Sequence, residues 1–182
     1  GTTTTVSIRG ASSGQTLVLI DGIEMNDPST PGNLFDFADL MTDDIERIEI
    51  LRGPQSTLYG SNAIGGVINI ITKKGKGKPK YSLSAEGGSY GTYKILGSVN
   101  GATDLINYNF SGSRLETQGF SAADEDLPGN REDDGYRNTT INAGLGITPL
   151  DNLDIQWNVR YNDAKKDLDN CGGPYCDNLV RS

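Results

Sequence analysis

The sequence predicts a small α/β unit followed by a run of antiparallel strands, and three observations carry that reading. Two β-branched runs, residues 17–20 (LVLI) and 67–71 (VINII), have the density of buried strands. A lysine-rich segment, residues 73–80 (KKGKGKPK), then breaks the chain with the charge, Gly and Pro of an exposed linker. Beyond it, apolar and polar residues alternate with period two, strand after strand.

In the first part, residues 6–9 read as a short strand and residues 11–15 (ASSGQ) as a polar loop. The buried run 17–20 ends in the turn signal Asp21-Gly22. Residues 24–33 (EMNDPSTPGN) form a loop rich in Pro, Gly and short polar side chains. Residues 34–40 are expected to make one or two helical turns. The rest is organised around residues 44–74, which read as strand, turn, brief helical turn, glycine pair and strand. Ile45, Ile48 and Ile50 suggest a partly buried strand whose alternation slips once near Arg47. Gly53-Pro54 ends it, because Pro restricts the residue before it and Gly tolerates positive φ. Gly65-Gly66 then permits close backbone approach.

In the second part, Tyr81, Leu83 and Ala85 share a face, and Tyr93, Ile95 and Val99 follow a short GGSYG connection. Ile106, Tyr108 and Phe110 alternate with Asn107, Asn109 and Ser111. Residues 139–147 and 153–161 alternate in the same way, the latter placing Trp157 and Tyr161 opposite Asn158 and Arg160. Residues 100–104 and 148–152 read as short turns, and 117–135 and 162–178 as long acidic loops. Short turns at one end and long loops at the other are the pattern of an outer-membrane barrel. A soluble antiparallel sandwich alternates equally well, so periodicity alone leaves both open.

Composition narrows the function. The 182 residues carry a net charge of −8 and a pI near 4.5, which argues against nucleic acid as the main partner. There is no His, which removes His-ligated zinc and any Ser/His or Cys/His dyad. No apolar run approaches the ~18 residues of a membrane helix, so any spanning segment must be a strand. Asn62-Ala63-Ile64-Gly65-Gly66 lacks the Gly-Lys-Ser/Thr ending of a phosphate loop. Residues 1–5 have neither the charged nor the apolar region of a signal peptide, so the chain reads as starting inside a larger polypeptide.

Arg52-Gly53-Pro54, Tyr59-Gly60 and the run AIGGVINIITK over residues 63–73 resemble the end of the plug domain of TonB-dependent outer-membrane receptors. Ser7-Ile8-Arg9-Gly10 and residues 17–22 (LVLIDG) resemble that family's earlier plug motif. The two motifs cover roughly the first 75 residues, in wording closest to the cobalamin and siderophore receptors. The resemblance implies a C-terminal part of a plug over residues 1–75 and the first strands of a transmembrane β-barrel over 76–182. The family's barrel has about 22 strands, so most of it would lie beyond Ser182.

The resemblance also implies roles. Function would be uptake of cobalamin, a ferric siderophore or haem across the outer membrane, with the TonB complex and outer-membrane lipid as partners and no enzymatic activity. The rival is a surface interaction protein, or a bacteriocin or phage docking receptor, without transport. Arg9 and Arg52 occupy positions where the family's arginines pair with acids on the barrel wall and lock the plug; a solvated arginine is the alternative. Ser12, Ser13, Asn26, Asp27 and Ser29 fall in the family's apical, ligand-touching loops, although loop composition alone favours the same residue types. Glu132, Asp133, Asp134, Asp167 and Asp169 resemble the acidic loops with which cobalamin receptors hold Ca²⁺, the one cofactor considered, against a plain reading as solvated charge. Loop acidity leans slightly from anionic siderophores toward cobalamin. Cys171 and Cys176 (CGGPYC) are expected to close a disulfide, since barrel proteins fold in an oxidising compartment.

Overall fold

A computed structural model describes residues 3–30, 32–120, 134–150 and 152–167. It divides into two compact units between Lys73 and Lys74.

The first unit is a four-stranded sheet in the order β2-β1-β4-β3, from β1 (Thr16–Ile20), β2 (Ile23–Glu24), β3 (Ile45–Arg52) and β4 (Gly66–Thr72). The two apolar runs form its centre. β1 lies parallel to β4, with Val18 opposite Ile68 and Ile20 opposite Ile70. Every residue of β1 is buried, because both faces of the sheet are covered. On one face Ile8, Val18, Ile20, Ile68 and Ile70 form a cluster backed by Met25, Phe35, Phe37, Leu40 and Ile45. Phe35 and Phe37 meet edge to face with centroids 4.8 Å apart. On the other face Leu17, Leu19, Ala63 and Val67 pack together.

β3 is antiparallel to β4, and the expected slip is a bulge between Ile45 and Arg47. As an edge strand it is only partly covered: Ile48 and Ile50 remain about half exposed. The helical turn α1 (Ser56–Tyr59) and a 3-10 turn (Ser61–Ala63) lead to the glycine pair. Close approach is real there. A Cβ on Gly65 would fall 2.8 Å from Ala11 Cβ, and one on Gly66 2.5 Å from the Leu51 carbonyl oxygen.

One local expectation is corrected. Residues 6–9 are not a strand: Ile8 is buried in the core, and Arg9 and Gly10 turn the chain at φ +52° and +78°. The Ala11 amide donates to the Ile8 carbonyl at 3.0 Å, so this segment forms a tight turn with no ladder partner. Residues 34–40 make one helical turn, as expected: a 3-10 turn (Phe37–Asp39) capped by Asp36, whose carboxylate accepts the Ala38 amide at 2.9 Å.

The second unit is an antiparallel meander, β5 (Lys80–Gly87), β6 (Tyr93–Ala102), β7 (Ile106–Thr117), β8 (Tyr136–Leu150) and β9 (Leu153–Lys166), each paired with the next. Residues 103–105 and 151–152 connect strands at one end, residues 88–92 and 118–135 at the other. β9 corrects a second expectation, because it runs to Lys166 where a loop was expected from residue 162. Asn162, Asp163 and Lys165 stay in the ladder opposite Thr140, Thr139 and Arg137.

The register sorts the side chains into two unlike faces. Tyr81, Val99, Phe110, Ala143 and Val159 form one continuous row. Neighbouring rows on that face carry Leu83, Ile141 and Tyr161, and Tyr108, Leu145 and Trp157. Most of these side chains are exposed, Leu83 at 81% and Trp157 at 51%, while Val99, Tyr108 and Ala143 are half-buried. The opposite face carries Ser111, Ser113, Asn109, Asn138 and Thr140, all buried. Thr140 donates to Asn138 at 2.9 Å or to Asn162 at 2.7 Å, and Asn138 donates to the Tyr136 hydroxyl at 2.8 Å.

Candidate ligand-binding loops and plug anchors

Two loops of the first unit are pressed together. Residues 11–15 make a 3-10 turn (Ser13–Gln15), in which the Ser12 amide donates to the Gln15 side chain at 3.1 Å. Residues 25–34 run beside it, and a Cβ on Gly14 would run into the carbonyl of Gly32. Glycine is required at this contact, which brings Ser12 and Ser13 to the neighbourhood of the second loop.

Within that loop the candidates divide by role. Asn26 is buried and its amide is spent internally: it accepts the Val18 amide at 2.7 Å and donates to the carbonyls of Thr16 at 3.1 Å and Asn33 at 2.9 Å. Asn26 therefore brackets the loop onto β1 and is a positioning residue. Asp27 and Ser29 are exposed. The Asp27 carboxylate accepts both the amide and the hydroxyl of Ser29, at 2.8 and 2.7 Å. Those bonds hold its carboxyl below the ordinary value of 3.8, the hydroxyl contributing most. The Thr30 hydroxyl donates to the Asp27 carbonyl and accepts the Leu34 amide, which closes the loop. The exposed edge thus offers hydroxyls and one carboxylate on a backbone that is already fixed, as a large polar ligand requires.

Arg9 and Arg52 come to the same end of the sheet. A Cβ on Gly66 would meet both Ile8 and Leu51, the residues just before the two arginines, and Arg52 is the register partner of Gly66. Both arginines are exposed, and neither makes an ion pair with a described residue. Two always-charged guanidiniums exposed at one end of the sheet suit carboxylates supplied by another surface.

Of the acidic candidates, Asp134 and Asp167 lie among the described residues; Glu132, Asp133 and Asp169 lie outside them, as do Cys171 and Cys176. The end of β9 returns to the start of β8 here: the Asp167 amide donates to the Gly135 carbonyl at 2.9 Å. The Asp167 carboxylate sits where a Cβ on Gly135 would be 3.1 Å away. Among the described residues no three acidic, His or Cys side chains are grouped for a metal.

Asp21 is a structural residue that sequence reasoning passed over. It sits at φ +50°, and its carboxylate accepts the Thr72 amide at 2.9 Å and the Thr72 hydroxyl at 2.6 Å. It clips the end of β4 to the end of β1, next to the lysine-rich linker. The Asp21-Gly22 turn signal was the available hint, since Asp tolerates this conformation and bonds local backbone.

Comparison with known proteins agrees with this geometry. Residues 1–67 match the TonB-dependent receptor plug domain. Over 174 residues, 95% of the chain, the sequence is 37% identical to the vitamin B12 transporter BtuB of Photobacterium profundum, of which it covers 28%. The crystal structure of the siderophore receptor PirA from Acinetobacter baumannii superposes at a TM-score of 0.69 with 25% identity, over 92% of this chain and 26% of that one. PirA from Pseudomonas aeruginosa gives 0.64 with 26% identity, over 87% and 28%. The chain thus spans roughly a quarter of the length of these relatives. With its plug-type sheet and its meander of barrel strands, the chain belongs to the TonB-dependent outer-membrane receptor family.

Proposed function

We propose that this chain is the ligand-gating part of a receptor that imports a large, scarce nutrient, cobalamin before ferric siderophore, by TonB-driven displacement of its plug. The observation that carries the reading is the pair of loops joined at Gly14 and Gly32, in a chain 37% identical to a vitamin B12 transporter. Ser12, Ser13, Asp27 and Ser29 meet the ligand, and Asn26 holds their backbone in place. Arg9 and Arg52 pair with acids of the barrel wall and seat the plug. Asp134 and Asp167, with Glu132, Asp133 and Asp169, form a calcium-dependent outer rim. The cycle needs only differential stabilisation of a sealed and an opened plug, so no residue performs covalent chemistry. Siderophores are the second reading, favoured by the likeness to the two siderophore receptors.

The test is calorimetric titration of the full-length, detergent-purified receptor with cobalamin, with and without Ca²⁺. Tight binding that weakens on chelation supports both the cargo and the acidic rim. Absence of binding in both conditions overturns cobalamin and moves the titration to ferric siderophores and haem. Uptake that persists without TonB overturns the transport reading in favour of a docking receptor.

A further inference from the structure

The lysine-rich segment that joins the two units holds almost no free chain, because each unit grips its own side of it. On the plug side the Asp21 carboxylate accepts the amide and the hydroxyl of Thr72. The Lys73 amide donates to the Asp44 carbonyl at 2.8 Å, and its ammonium donates to the Asp43 carbonyl at 2.7 Å. On the barrel side Gly75 is buried, and a Cβ there would run into the carbonyl oxygens of Gly101 and Tyr108. Two residues on, the Gly77 carbonyl accepts the Ala102 amide at 2.7 Å, and Gly77 bends the chain at φ +63°. Pro79 then lies against Gly101, where an added Cβ would come 3.2 Å from the Pro79 Cα. Lys74, Lys76, Lys78 and Lys80 stay exposed between these contacts. The alternation KGKGKPK therefore lays glycine and proline on the sheet and keeps the lysines hydrated.

The reach of the chain gives this docking a consequence. With both grips closed, Lys74 is the single residue between them, and two residue steps span at most about 7 Å. Once residues 75–79 peel away, the chain from Lys73 to Lys80 can span about 25 Å, roughly the length of β4. The grips are also unequal. Four hydrogen bonds, two of them to one carboxylate, hold Thr72 and Lys73. Glycines, which bring no side chain to the contact, hold the barrel side.

We infer that residues 74–79 are a folded-down strap, a reserve of tether that lifts off the barrel sheet when the plug is displaced. Its release lets β4 travel without tearing the plug sheet. The inference rests on the plug displacement proposed above.

The experiment uses the full-length receptor in a Cys171→Ser/Cys176→Ser background, with the double variant Gly77→Cys/Ala102→Cys. The backbone hydrogen bond of 2.7 Å keeps these two residues within the Cα separation of roughly 4.4–6.8 Å that a disulfide spans. Oxidation is expected to link them in the resting receptor and to hold back residues 78–80, about 10 Å of tether. The linked receptor is expected to bind cobalamin unchanged and to import it about 10-fold more slowly, with reduction restoring uptake. Failure of the disulfide to form, or equal uptake by linked and reduced receptor, overturns the strap. Amide exchange gives a readout that needs no cargo. Ala102 should exchange at least about 10-fold faster than Thr72 and Lys73, and Gly75→Ala should speed Ala102 further while leaving the other two unchanged. Exchange at Ala102 as slow as at Thr72 overturns the strap as well. A reduced variant that shows the expected exchange order yet imports no cobalamin sinks the cargo, and the strap stands.

Discussion

Ile70 in the plug sheet is completely buried, whereas Leu83 and Tyr81 in the barrel sheet are about four-fifths exposed. The polar side chains reverse the order: Asn138 and Thr140 of β8 are buried, while Arg47 and Glu49 of the plug edge pair in the open at 2.8 Å. Both sheets draw on the same β-forming residue types, so propensity does not separate them. The solvent each face meets does. The plug sheet hides the apolar residues of its central strands β1 and β4 on both faces, as contact with water requires. The barrel sheet turns its apolar face outward and satisfies its polar face through Asn, Ser and Thr hydrogen bonds, as a lipid-embedded wall must.

The comparison is broken most severely by a cavity in the plug. Ile70→Ala removes a fully buried side chain from the centre of the larger cluster and should cost about 2–5 kcal/mol. Hydrogen exchange of the full-length receptor should then speed up at β1 and β4 by roughly 30-fold to a few thousand-fold, with the barrel strands unchanged. Acceleration spread equally over β5–β9 would show that the two sheets do not open separately.

A charge on the outward barrel face tests the other half. Val159 lies in the row of Tyr81, Val99, Phe110 and Ala143, well inside the apolar band. Val159→Lys should cost about 2–4 kcal/mol in bilayers, measured by urea unfolding of the receptor in lipid vesicles. Asn158→Lys, on the opposite face of the same strand, should cost much less. Equal losses from the two would mean that β9 does not separate lipid from lumen.

These contrasts were legible in the sequence only in part. Period-two alternation reveals strands and their faces, and the β-branched runs at 17–20 and 67–71 reveal the plug's central pair. The Gly65-Gly66 approach was legible because two adjacent glycines in a strand entry seldom have another cause. The turn at Arg9 was not, because Ile8 looks like a strand residue until its tertiary partners in the core are known. Nor was the limit of β9: Asp163 and Lys165 read as loop chemistry, yet a barrel strand tolerates charge where it leaves the apolar band. The row from Tyr81 to Val159 depends on register across four pairings, and no single strand encodes register. Asn26 and Asp27 are adjacent and chemically alike, and only the hydrogen bonds show that one brackets the loop while the other faces solvent.

The smallest effect sharpens that last distinction. Asp27 has its carboxyl held below 3.8 by the Ser29 hydroxyl and amide, so the folded loop prefers the ionised form. A depressed carboxyl contributes its stabilisation fully above the unfolded value and loses it as pH falls through the folded value. Amide exchange at Ser29 and Thr30, corrected for its intrinsic pH dependence, should therefore show constant protection from neutral pH down to about pH 5. Protection should fall only below 3.8. Ser29→Ala removes the hydroxyl, the larger of the two causes, and should move the fall upward toward 3.8. Asn26→Ala should behave differently, weakening the loop at every pH, because the Val18 amide and the Thr16 and Asn33 carbonyls would lose a partner that does not titrate. A pH-dependent loss in Asn26→Ala, or a pH-independent one in Ser29→Ala, would reverse the roles assigned to the two halves of the loop.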